Sequence, residues 1–122
     1  MSKRDLLVLC HPRCSTCKRA LRWLDDHGIP YELRDIVRDN PSAEELAAWH
    51  RLSGLPIRRL FNTSGTLYRE QGVRARLDAG MTDEECYGLL ATSGMLVRRP
   101  LVVGDGLALV GFREREWEGR LL

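Results

Sequence analysis

The periods of apolar and polar residues change several times along this chain. Leu6-Leu7-Val8-Leu9 is a continuous apolar run of strand length. His11-Pro12-Arg13 reads as a turn. Beyond it Cys17, Ala20, Leu21 and Leu24 recur at i, i+3, i+4 and i+7, the spacing of one buried helical face. A helix is therefore predicted from about Ser15 to His27, with Gly28 as its C-terminal stop. Ile29 to Ile36 reads as a second strand, with Pro30 at its start, where a missing N–H is tolerated. Strand, helix and strand in this length predict a βαβ unit with a parallel, right-handed crossover.

Asp39-Asn40-Pro41 breaks the pattern. Ser42-Ala43-Glu44-Glu45 has the form of a capping box, so a helix is predicted from Ser42 to about Gly54, carrying Leu46, Trp49 and Leu52. Arg58-Arg59-Leu60-Phe61 reads as a short helical turn, Asn62-Thr63-Ser64-Gly65 as a loop, and Leu67 to Gly72 as a short helix. Thr82-Asp83-Glu84-Glu85 is a second capping box, whose helix places Cys86, Leu89 and Leu90 on one face and stops at Gly94. Leu101-Val102-Val103, the turn Gly104-Asp105-Gly106 and Leu107 to Val110 read as a hairpin. A last amphipathic helix from Phe112 carries Trp117 and Leu121. The order predicts an α/β fold: one domain over residues 1–122, a mixed four-stranded sheet with helices packed on it, and a helical insertion at about 42–94.

Composition narrows the function. A net charge of +2 on 122 residues gives no basis for direct nucleic-acid binding. No stretch approaches the roughly 18 apolar residues of a membrane span. Met1-Ser2-Lys3-Arg4-Asp5 leads into too short an apolar run for a signal peptide, so a cytoplasmic protein is expected. A monomer is expected. The 4 cysteines do not make a disulfide framework. Zinc is disfavoured, because there is no second CxxC and Cys10 and His11 would crowd one short turn. No metal or tightly bound cofactor is expected.

The chemistry centres on Cys14-Ser15-Thr16-Cys17-Lys18, placed where a strand hands over to a helix. Unsatisfied N–H groups at a helix N-terminus favour a thiolate. With Arg13 and Lys18 as cationic neighbours, Cys14 is expected to titrate below an ordinary thiol and to be the attacking group. Cys17, on the apolar stripe, is expected to be sheltered and to resolve a mixed disulfide or sulfenate on Cys14. His11 is either a local base or hydrogen-bond partner of Cys14, or a plain turn residue. Cys10 and Cys86 read as small core residues. His27 reads as a helix-end cation and His50 as a surface residue. Trp49 and Trp117 read as core. Arg58-Arg59 is either a solvated face or the lining of a groove for glutathione or an acidic partner.

Four segments carry a family resemblance: Pro12-Arg13-Cys14-Ser15-Thr16-Cys17-Lys18, Leu55-Pro56-Ile57-Arg58-Arg59-Leu60-Phe61-Asn62-Thr63, Gly94-Met95-Leu96-Val97-Arg98-Arg99-Pro100, and Val110-Gly111-Phe112. In this order they resemble the arsenate reductase family of the glutaredoxin-like class, which includes the Spx-type regulators and has a thioredoxin fold. The resemblance implies that Cys14 is a nucleophile able to attack arsenate or a disulfide. It implies that Thr16 and the loop N–H groups hold an oxyanion, that Arg99 faces the cysteine, and that Pro100 is cis. Cys14, Cys17 and Arg99 are thus the candidate catalytic residues, and Ser15, Thr16, Arg13, Lys18 and Pro100 the candidate substrate-binding ones. Glutathione with glutaredoxin, or thioredoxin, would be the external reductant. Two further arginines of the glutathione-using reductases align with Asn62 and Gly111, so this chain lacks both. Those enzymes also carry His and Asn where this chain has Cys10 and His11, and no cysteine at the position of Cys17. The alternative is an Spx-like redox sensor that binds the RNA polymerase α subunit.

Overall fold

The computed structural model describes residues 6–122. The Met1–Asp5 segment, weighed above as a leader, lies outside the described residues. The sheet contains four strands: β1 (Leu7–Cys10), β2 (Glu32–Asp35), β3 (Leu101–Gly104) and β4 (Leu107–Val110). Their spatial order is β2-β1-β3-β4. β1 runs parallel to β2 and antiparallel to β3, and β3 is antiparallel to β4. This is the mixed α/β sheet that the sequence predicted.

β1, β3 and β4 are apolar because both faces of the sheet are covered there, whereas the edge strand β2 is largely charged and more exposed. Leu9, Leu101, Ala108 and Val110 point to one face. Val8, Cys10, Val102, Leu107 and Leu109 point to the other. This is the period-2 alternation of a strand applied to two cores instead of one. α1 (Ser15–Asp26) and α6 (Glu114–Leu121) cover the second face, with Ala20, Trp23, Leu24 and Trp117 buried on it. Trp117 is fully buried and meets Trp23 edge-on at 5.7 Å and Phe112 at 4.7 Å.

The first face carries the helices between β2 and β3: α2 (Ala43–Ser53), α3 (Thr66–Glu70), α4 (Val73–Asp78) and α5 (Asp83–Leu90). Both predicted capping boxes are formed, by Ser42 with Glu45 and by Thr82 with Glu85. Leu46 and Trp49 of α2 are buried as expected, whereas Leu52 is 42% exposed. α4 was not predicted, and β2 is shorter than the predicted Ile29–Ile36. Two 3-10 turns, Ile57–Leu60 and Gly94–Leu96, complete this layer. Gly94 lies against the end of β2, where a side chain would overlap the carbonyl of Ile36. His50 is not a free surface residue. Its ring bonds the Tyr87 hydroxyl at 2.6 Å and the Leu55 carbonyl at 2.8 Å. His27, at the end of α1, bonds the Trp23 carbonyl and stacks on its ring.

Candidate active site

β1 ends at Cys10 and the chain turns through His11-Pro12-Arg13 into α1. The Cys14 N–H donates to the His11 carbonyl at 3.0 Å and closes that turn. Cys14 is the N-cap of α1, with extended backbone, and its Sγ accepts from the Cys17 N–H at 3.4 Å. The sulfur thus does the work of a capping side chain for a donor that has no intrahelical partner. Cys14 is half-buried; Cys17, one turn on, is 1% exposed and packs into the core.

Burial pushes the Cys14 thiol above its ordinary value, against the opposing pull of the Cys17 N–H and the charge of Arg99. This corrects the expectation of a depressed thiol. The helix-end effect is present, but desolvation of the half-buried sulfur outweighs it. The cation that acts on Cys14 is Arg99 rather than Arg13 or Lys18. The Cys17 thiol is pushed up further, by a hydrogen bond with the Cys10 thiol and by burial. Cys10 is a buried core residue, as read, in the same cluster as Cys17 and near enough to raise its thiol.

Arg99 precedes a cis peptide bond to Pro100, as the resemblance implies. Its guanidinium donates to the carbonyls of Val97 at 3.2 Å and Met95 at 3.3 Å, which orient it. Cys14 and Arg99 line one cavity of about 780 Å³. Arg13, Ser15 and Thr16 line it as well. Lys18 and the buried Pro100 are not among its lining residues. His11 lines it too, but its Nδ1 accepts from the Arg13 N–H at 3.2 Å, so it serves the turn. Arg58 pairs with Asp78 instead, and neither Arg58 nor Arg59 reaches the cavity lining.

Arg19 and Arg98 complete the basic wall. Neither was singled out from the sequence. Arg19 follows Ser15 by one helical turn on the same face, a signal that was available. Arg98 reaches the cavity through tertiary pairing: its N–H donates to the Leu60 carbonyl at 2.8 Å, and Val97 bridges Phe61. Among the described residues no acidic side chain lines the cavity. Asn62 and Gly111 line it too. Among the described residues no cluster of three His, Cys, Asp or Glu side chains is placed to hold a metal ion. No helix there is long and apolar enough to cross a membrane.

A half-buried cysteine capping a helix, facing a basic cavity beside an arginine and a cis-proline, matches the site that the resemblance implies. The sequence profile of the ArsC family matches residues 9–119, which includes every part of it. The chain belongs to the ArsC family. A crystal structure of an ArsC-family-related protein from Bacteroides fragilis is 52% identical, with a TM-score of 0.90, over 93% of this chain and 95% of that one. The uncharacterized protein YusI of Bacillus subtilis is 41% identical over 93% of this chain and 96% of its own length. The global transcriptional regulator Spx of the same organism is 26% identical over 86% of this chain and 78% of its own length. The thioredoxin-like α/β fold follows with the family.

Proposed function

We propose that this ArsC-family chain is a thiol-dependent oxidoreductase that works through a Cys14–Cys17 dithiol–disulfide couple. The observation that carries the reading is the placement of Cys14: partly accessible at the head of α1, facing a basic cavity, with Cys17 buried one turn away.

With a disulfide substrate, the Cys14 thiolate attacks one sulfur. A new S–S bond forms and the first product leaves as a thiolate, which takes up a proton. Cys17 loses its proton and attacks the Cys14 sulfur, forming the internal disulfide and expelling the second product thiol. The substrate gains two electrons and two protons, and the cysteines lose them. With arsenate, Cys14 displaces water to form an arsenic–sulfur bond. Attack of Cys17 on Cys14 then leaves the electron pair on arsenic, giving arsenite. Thr16 and the N–H groups of the first turn of α1 would hold the oxyanion. Arg99 would offset its charge and favour the Cys14 thiolate. Glutathione with glutaredoxin, or thioredoxin, restores the dithiol in a reducing cytoplasm.

The test is arsenate- or disulfide-dependent NADPH consumption. It is coupled once through glutathione reductase, glutathione and glutaredoxin, and once through thioredoxin and its reductase. Turnover that disappears in Cys14→Ser supports the proposal. Its absence with every substrate and in both systems overturns it and favours the redox-sensing regulator, whose readout is oxidation-dependent capture of the RNA polymerase α subunit.

A further inference from the structure

Arg98 and Arg99 are consecutive, yet both reach the cavity that Cys14 faces. They are held differently. The guanidinium of Arg99 is anchored on two backbone carbonyls. Arg98 instead lies across Gly111. A Cβ placed on Gly111 would stand 3.2 Å from Nε of Arg98 and 3.9 Å from its Cδ. Gly111 also has φ +78, a conformation that side chains disfavour. The residue beneath the arginine is fixed in turn. Its N–H donates to the Pro100 carbonyl at 2.8 Å, and its carbonyl accepts from Nε1 of the buried Trp117 at 3.2 Å. The missing side chain at Gly111 is therefore the space in which Arg98 lies.

Among the described residues Arg98 has no anionic partner. The ion pairs among the described residues involve Arg34 and Arg58. The charges acting on Arg98 are those of Arg59 and Arg113, both positive, and with burial they disfavour its charged form. A half-buried guanidinium surrounded by like charge and facing a nucleophile's cavity has one electrostatic deficit, which a bound anion removes. A guanidinium also matches the two oxygens of a carboxylate or other oxyanion in a bidentate fork.

We propose that Arg98, lodged over Gly111, is a specificity-determining residue that binds an anionic oxygen group of the substrate attacked by Cys14. This rests on Cys14 being the reactive group of the proposed function. The shared ligand chemistry is a delocalised oxyanion, either the carboxylate of a small disulfide or a free oxyanion such as arsenate.

The experiment compares wild type, Arg98→Gln, Arg98→Lys and Gly111→Ala in the full chain. The rate of Cys14 alkylation is read by mass spectrometry with anionic iodoacetate and with neutral iodoacetamide. Any change in the Cys14 thiolate fraction affects both reagents alike and cancels in their ratio. Relative to a free thiol, wild type should favour iodoacetate. Loss of one charge-assisted contact at a partly exposed site should lower the ratio about three- to ten-fold in Arg98→Gln. Arg98→Lys should recover part of it, and Gly111→Ala, which presses on Nε, should lower it. A ratio unchanged in Arg98→Gln, or unaffected by Arg98→Lys against Arg98→Gln, overturns the proposal. Unfolding midpoints confirm that each variant is folded. The same variants are then assayed with oxidised glutathione, neutral 2-hydroxyethyl disulfide and arsenate. Loss of preference for oxidised glutathione over the neutral disulfide identifies the carboxylate, and loss confined to arsenate identifies the free oxyanion. Because alkylation requires no turnover, an unchanged ratio defeats this proposal alone, whereas absent turnover defeats the oxidoreductase reading alone.

Discussion

Replacing Glu45 with glutamine should weaken the fold by an amount that disappears in acid. Glu45 accepts from Arg34 through both oxygens, at 2.8 and 2.9 Å, tying β2 to the start of α2. Arg34 is well sheltered, with 13% of its side chain exposed, and lies over the Trp49 ring at 5.8 Å. Its guanidinium holds the Glu45 carboxyl down from an ordinary 4.5 to about 2. At about 1.4 kcal/mol per pH unit, that drop bounds the charge contribution at about 3 kcal/mol. The carboxylate side chain is 38% exposed, and solvent screening reduces the expected share to about 1–2 kcal/mol. Folding lowers this pKa, so the contribution is complete above 4.5 and is lost as pH falls toward about 2. Glutamine at the third helical position still completes the capping box through its one oxygen, so the variant removes the charge and one of the two Arg34 contacts while keeping the cap. Urea unfolding followed by tryptophan fluorescence should give a wild-type advantage of about 1–2 kcal/mol at neutral pH. That advantage should shrink through the acid window and vanish near its lower end. A gap that does not change with pH would refute the ion pair as its cause.

Three further outcomes follow from the same structure. Gly94→Ala should cost about 1–3 kcal/mol in chemical denaturation, because its methyl group meets the Ile36 carbonyl and forces the strap away from β2. Tyr87→Phe should cost about 1 kcal/mol by the same assay, since it removes the hydroxyl bonded to His50. Alkylation at neutral pH should modify Cys14 ahead of Cys17. Folding raises the Cys14 pKa above its ordinary 9.0, so the rate should still climb through that value. A plateau below pH 8 would contradict the dominance of burial.

The parts of the fold that were legible in the sequence are those fixed locally. The two capping boxes need only residues three apart, and both formed. The CxxC at a strand-to-helix junction located the helix that Cys14 caps, and the Gly104-Asp105-Gly106 turn located the hairpin. What was hidden depends on distant contacts. α4 has two buried apolar positions in six residues and starts at Gly72 without a side-chain cap, too little for a period to register. His50 looks solitary because its partner Tyr87 is 37 residues away. The thiol shift of Cys14 was misjudged because spacing reveals the helix end but not how deeply the sulfur is buried. Arg98 reaches the cavity through pairing with residues 60–62 and the vacancy at Gly111. Nothing in the local pattern of residues 94–100 separates it from an exposed arginine.

Cys14 and Cys17 are proposed as the working couple, and Cys10, buried in the same cluster as Cys17, is the competing thiol to test. The direct measurement is to treat the fully reduced chain with one equivalent of a disulfide substrate and to map the resulting disulfide by mass spectrometry after blocking free thiols. The expected product is a Cys14–Cys17 bond, with Cys10 and Cys86 alkylated as free thiols after unfolding. A Cys10–Cys17 bond, or a mixed disulfide on Cys14 that Cys17 never resolves, would contradict it.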